Sequence, residues 1–228
     1  MANLFCSSIG KKLLMSLSGI FLILFLTFHM SMNLVALVSG DAYNAVCEFL
    51  GANWYALVGT SVLVLGFIVH IAYSLILTAK NASARSNQKY ACQQAPKGVE
   101  WASQNMLVLG IIVVGGIAIH LAQFWYKMQF TEIMGSHESI LGDKTVSVAN
   151  GAAFISYWFS KPAVCLIYIV WLAALWFHLT HGFWSALQTL GWNNKIWFER
   201  LKCISNVFAT VIYAGFAMVV LFYYFASL

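Results

Sequence analysis

Residues Pro162–Leu190 read PAVCLIYIVWLAALWFHLTHGFWSALQTL, a run with no Asp, Glu, Lys or Arg that nevertheless holds two histidines, His178 and His181. A helix needs about 20 apolar residues to cross the hydrocarbon core of a bilayer, and this run exceeds that. Pro162 suits the first turn of a helix, because the N–H it lacks would be unpaired there anyway. Working outward, four further segments have the same character: Leu13–Val38, Trp54–Ala79, Gln104–Met128 and Cys203–Phe225. The spacing therefore predicts an all-α integral membrane protein with five transmembrane helices, forming one membrane domain over residues 1–228.

Composition agrees. The chain is 61% hydrophobic and 8% charged, where a soluble domain carries roughly 25% charged residues. A chain this apolar needs lipid as its solvent, and its net charge of +5 reports topology rather than nucleic-acid binding. Lys11 and Lys12 precede the first apolar run, as in a secretory leader. That run is too long for a leader core of about 7–15 residues, and no small-residue cleavage site follows it, so it reads as a retained span. The cysteines, Cys6, Cys47, Cys92, Cys165 and Cys203, form no CxxC or CxxCH. They read as small apolar fillers, which argues against a zinc site, an iron–sulfur cluster or covalently attached haem on this chain.

The basic residues orient the spans. With the N-terminus in the cytoplasm, Lys11, Lys12, Lys80, Arg85, Lys89, Lys97, Lys195, Arg200 and Lys202 lie inside, against Lys127, Lys144 and Lys161 outside. This is a positive-inside bias. Asp41, Glu48, Glu132, Glu138 and Asp143 fall outside; Glu100 and Glu199 fall inside. The expected location is the inner (cytoplasmic) membrane, multi-pass, with the C-terminus outside.

Five of the six histidines lie within spans, where a polar side chain is costly and tends to be functional; His137 falls in the long loop between spans three and four. His29, His70, His120 and His178 each stand 16 residues into their own span. Because successive helices alternate in direction, His29 and His120 fall in an outer layer and His70 and His178 in an inner one. The layers are expected on the order of 12 Å apart at 1.5 Å per residue. A single membrane histidine is more often a packing residue than a ligand. Four, one per helix at matched depth, point to two pairs of opposed imidazoles, the arrangement of bis-histidine haem. Four of the five helices would then form a haem-binding bundle holding two b haems.

His181 is three residues from His178 on a neighbouring helix face. Depth alone leaves it open as an alternative ligand or as a neighbour to the ligand. Gly19 and Gly110 each precede a span's histidine by ten residues, which puts them near the depth of the opposite pair. A missing side chain there would admit a porphyrin edge or would serve ordinary small-residue helix packing. Ser16, Ser18 and Gln104 lie near inner span ends, within reach of haem propionates.

These features resemble the single-chain, five-helix, dihaem cytochrome b subunit of succinate:quinone oxidoreductases, meaning fumarate reductase or menaquinone-linked succinate dehydrogenase. The resemblance runs over nearly the whole chain. It is carried by Ser18-Gly19-Ile20-Phe21 with His29-Met30, by the lone His70 of span two, by Gly110 with His120, and by Phe177-His178-Leu179-Thr180-His181-Gly182. In that family the fourth-helix ligand lies four residues before a glycine, which selects His178. The resemblance implies an outer haem on His29 and His120 and an inner haem on His70 and His178. It implies a quinone, expected to be menaquinone, as bound substrate.

It also implies partners. A flavoprotein subunit with FAD and the dicarboxylate site, and an iron–sulfur subunit, would dock on the cytoplasmic side, where Lys80, Arg85, Lys89 and Lys97 offer a basic face. The complexes could pair as dimers. Two departures stand out. Trp176 occupies the position where some relatives carry a proton-conducting Glu. Glu48, 19 residues after His29, is slightly off the spacing of a Glu that relatives use at the quinol site; it is the candidate proton acceptor, against a solvated loop acid. Two other readings remain from the residues alone: the cytochrome b anchor of a hydrogenase or formate dehydrogenase, which often places two haem histidines on one helix, and a His-lined metal or proton transporter.

Overall fold

The structure, a computed structural model, describes residues 7–84, 100–192 and 194–228. Arg85, Lys89 and Lys97 of the expected basic face, together with Cys6 and Cys92, lie outside the described residues. The chain is mostly helical, with five helices long and apolar enough to cross a membrane. The first is α1 (Ser8–Leu34), prolonged by a short 3₁₀ turn at Val35–Leu37. The second is α3 (Trp54–Ala84). The third joins α5 (Met106–His120) to a π-helical stretch, Leu121–Phe130, and a final turn, α6 (Thr131–Ile133). The fourth and fifth are α8 (Pro162–Thr189) and α9 (Trp197–Phe225).

The ends differ from the hydropathy-based bounds in an instructive way. Span one starts at Ser8 and span five at Trp197, each earlier than expected. Lys11, Lys12, Arg200 and Lys202 are helical although charged, because long cationic side chains can lie along the helix and reach water at its end. The side chain of Ser7 caps α1 by accepting the N–H of Gly10 at 3.0 Å, and Pro162 occupies the first turn of α8.

The connecting segments carry structure that hydropathy does not show. The link between the first two spans forms α2 (Gly40–Phe49), capped by Ser39. A four-residue helix, α4 (Trp101–Gln104), precedes span three. The long connection after span three folds into an antiparallel hairpin, β1 (Glu138–Leu141) with β2 (Lys144–Ser147), and then α7 (Gly151–Phe159). Gly142, at φ +68°, makes the left-handed step of the two-residue hairpin turn. α2 and α7 pack on each other at one end of the bundle. Gly151 makes this contact possible: a Cβ there would collide with Cys47 and Tyr43. This is the far end of the bundle; the near end is where the first span begins.

α8 and α9 form the tightest helix pair, and α1 packs on both. Ser205 of α9 is fully buried, and its Oγ lies 3.0 Å from the carbonyl oxygens of both Leu179 and Thr180, either of which can accept its one hydrogen. Gly215 makes room for Met30, where a Cβ would collide with the thioether sulfur. α3 packs on α1, and α5 packs on α8. Among the described residues, however, the backbones of α1 and α5 do not come close over any extended stretch, and neither do those of α3 and α8.

Candidate functional site

Four of the span histidines meet in two facing pairs, and among the described residues each pair joins two helices whose backbones do not come close over any extended stretch. At the far end, His29 of α1 faces His120 of α5, with ring centroids 5.8 Å apart and an interplanar angle of 79°. At the near end, His70 of α3 faces His178 of α8, at 6.3 Å and 63°. Across each of these helix couples it is the two rings, rather than the backbones, that meet.

These distances allow a test of fit. Two imidazole nitrogens on opposite sides of one metal ion, each about 2 Å from it, would put the ring centres about 6 Å apart. Both observed separations agree with that. Among the described residues, no group of three or more His, Cys, Asp or Glu converges. Each pair therefore offers two donors. Zinc in a structural site expects four protein ligands; a metal whose equatorial ligands arrive with a porphyrin needs only two.

The far-end pair lies in an aromatic box. Phe25 stacks on His29 at 5.4 Å, and Phe216 of α9 tilts against it at 5.8 Å. Phe124, Trp171 and Tyr168 lie 5.2, 5.9 and 6.4 Å from His120. Trp171 is seated by Gly116, where a Cβ would strike the indole, and its Nε1–H donates to the Val113 carbonyl at 3.0 Å. Tyr168 donates to Oε1 of Gln123 at 2.8 Å. Asn33 donates from Nδ2 to the His29 carbonyl at 2.8 Å, lies 3.5 Å from His29 Nε2, and accepts from the hydroxyl of Tyr43 at 3.0 Å. Tyr43 belongs to α2, so the far-end cap closes over this pair.

The near-end pair has a different setting, with glycines and a hydroxyl around it. A Cβ at Gly19 would lie 3.4 Å from His70 Cε1, and one at Gly110 would lie 4.0 Å from His178 Cε1. Both glycines thus stand at the depth of the opposite layer, about 15 Å along the helix from their own span's histidine. Ser18 Oγ lies 3.3 Å from His70 Nδ1. Ser16 is buried. His178 Nδ1 is, among the described residues, the buried side-chain polar atom left without a hydrogen-bond partner. Such an atom costs about 1–3 kcal/mol unless something else satisfies it.

His181 faces another group. Its Nδ1 is 3.4 Å from Oε2 of Glu100, and Trp184 Nε1–H donates to the same oxygen at 3.3 Å. Lys202 of α9 approaches the other carboxylate oxygen at 3.6 Å. Glu100 therefore ties the start of α4 to α8 and α9, and His181 serves that tie.

Glu48 is exposed on α2 and has no described side-chain contact with either pair. A carboxylate that sequence reasoning passed over, Glu132, is better enclosed. It accepts the Ala52 N–H at 2.9 Å, and a Cβ at Gly51 would crowd its Oε2 at 2.5 Å. Gln129 sits beside it. Its amide donates to the Gly51 carbonyl at 2.9 Å and accepts from Thr60 at 2.9 Å and from Trp125 at 2.8 Å. Gln129 lies within the π-helical stretch, and Glu132 lies just beyond it in α6. No residue pattern in Leu121–Phe130 announces a π-helix.

No protein-family model matches the chain, and neither does any curated protein or solved structure.

Proposed function

We propose that this chain is a membrane-anchor cytochrome b subunit. It would pass electrons between a membrane quinone, expected to be menaquinone, and the iron–sulfur and flavoprotein subunits of a fumarate reductase or succinate dehydrogenase. The observation that carries the reading is the pair of facing imidazole couples, His29 with His120 and His70 with His178, each at a separation suited to one iron and each between helices that meet through these rings rather than through their backbones. In this reading the near end faces the cytoplasm.

Two b haems would supply one-electron carriage across the bilayer. The chain's own residues supply the rest. The four histidines each present a neutral nitrogen lone pair. Phe25, Phe124, Tyr168, Trp171 and Phe216 keep water from the far-end couple, and the α2–α7 cap closes that end. Gly19 and Gly110 leave room beside the near-end couple. The quinol proton acceptor is assigned to Glu48, whose exposed carboxylate meets outer water directly. Dicarboxylate chemistry would take place on the partner subunits.

His181 weighs against the hydrogenase-type alternative. There it would be a second ligand on one helix, whereas here it engages Glu100. The transporter alternative would draw support from a polar file of donors; His29, His70, His120 and His178 instead close on each other in twos.

The reading is tested by purifying the protein with its partners from membranes and recording a reduced-minus-oxidised spectrum with haem counted per chain. An α band of b-type haem and two haems per chain are expected. Colourless protein that binds zinc would replace this reading with the transporter.

A further inference from the structure

The hydroxyl of Ser18 donates to the carbonyl of Met15 at 3.0 Å. A serine has one O–H to give, and this one is spent within its own helix. Ser18 Oγ is also 3.3 Å from His70 Nδ1. The Met15 carbonyl also approaches the His70 ring. A carbonyl can only accept, and Oγ with its hydrogen on that carbonyl can only accept as well, so the ring nitrogen that Oγ meets, Nδ1, carries the proton. The neutral ring then has its lone pair on Nε2. Ser18 is itself buried on α1, one residue before Gly19, which touches the same ring. Helix α1 thus presents a notch and an acceptor side by side to a histidine on α3.

The opposing ring has no such support, because Nδ1 of His178 is buried without a partner. The near-end couple is therefore lopsided. One imidazole is held in a defined tautomer and orientation by its neighbour helix; the other depends on whatever lies between the two. Where a ligating histidine donates its other N–H to an oxygen, that bond fixes the ring and raises its basicity.

We propose that Ser18 is a positioning residue for the near-end metal site: by accepting the Nδ1–H of His70 it presets Nε2 as the ligating nitrogen and makes His70 the stronger donor of the couple. This rests on the haem reading above. It assigns Ser18 to the ligand ring, where the residue's depth had suggested a propionate contact.

The test uses the intact complex purified from membranes, as wild type, S18A and S18T, with H70A to identify the near-end haem signal. Low-spin EPR signals and a potentiometric titration are read alongside haem per chain. A histidine that loses its acceptor becomes a weaker donor, and the oxidised iron is then less favoured. In S18A the near-end signal should shift, its midpoint should move positive, and detergent washing should remove that haem first. The far-end signal and midpoint should stay in place, and S18T, which keeps the oxygen, should resemble wild type.

A haem-replete S18A complex with both signals and midpoints unchanged would overturn this inference alone, as would equal disturbance of both haems. A wild-type complex without haem would instead remove the electron-carrier reading and this inference with it.

Discussion

Gly19 of α1 lies against the ring of His70 of α3: a Cβ built on the glycine would stand 3.4 Å from Cε1 of the histidine. That is ordinary van der Waals distance, so a methyl group fits and a longer side chain has to enter the space beside the near-end couple. Gly19→Ala should keep two haems per chain. Gly19→Leu should lose the near-end haem selectively, leaving about one per chain, as read by pyridine haemochrome assay. Two haems retained in Gly19→Leu would mean that the notch is only a helix contact.

His178 and His181 are three residues apart and face different groups, His70 and Glu100. His178→Ala should remove the near-end haem and leave the far-end one. His181→Ala should retain both haems. It should also weaken the attachment of α4, since Glu100 loses one of the groups that approach it. Haem counts on the two variants, with limited proteolysis near Trp101, separate these effects. A haem lost from His181→Ala alone would reverse the ligand assignment.

Glu132 holds the turn that leads into α3. Removing it leaves the Ala52 N–H without its acceptor, at a cost of about 1–3 kcal/mol if that donor stays out of water. Glu132→Ala should lower the thermal midpoint of the detergent-solubilised protein, and Glu132→Gln, which keeps an acceptor oxygen, should recover much of the loss. Equal midpoints for all three proteins would show that the turn holds without the carboxylate.

The far-end cap should respond to alkali through Cys47. Burial raises its thiol from 9.0 to about 11, with Tyr43 and the Gly151 backbone partly opposing the rise. Burial, together with Cys47, also raises the Tyr43 hydroxyl. A group whose folded-state value is raised is favoured in its protonated form. Its contribution is therefore fully present below about pH 9 and is lost as pH climbs through about 11. Alkylation of Cys47 at pH 8 should be slow and should accelerate only towards pH 11. Fast alkylation at pH 8 would contradict the packing of α2 on α7.

Much of the architecture was legible in the residues because lipid imposes a simple rule: apolar runs of spanning length must be helical. The histidine positions were legible for the same reason, since one per span at equal depth is a pattern along the chain. Other features depend on contacts between distant segments. α2 and α7 have no spanning hydropathy, and they form because Gly151 lets Cys47 and Tyr43 approach. The π-helical stretch leaves no compositional trace, so nothing in the sequence singled out Gln129, and Glu132 read only as one of the outer acids. The depth of His181 left its role open, and its contact with Glu100 joins residues 81 apart in the chain, which depth along one helix does not reveal. Ser18 was placed by depth near the end of a span, but its contact with His70 requires knowing the rotation of α1 about its axis.

The most direct test of the central claim is haem stoichiometry with optical spectra on the purified complex, for wild type and for single alanine replacements of His29, His70, His120 and His178. Two b-type haems in wild type are predicted, with the far-end haem lost from the first and third variants and the near-end haem lost from the second and fourth. Wild-type protein without haem, or haem content indifferent to all four replacements, would contradict it.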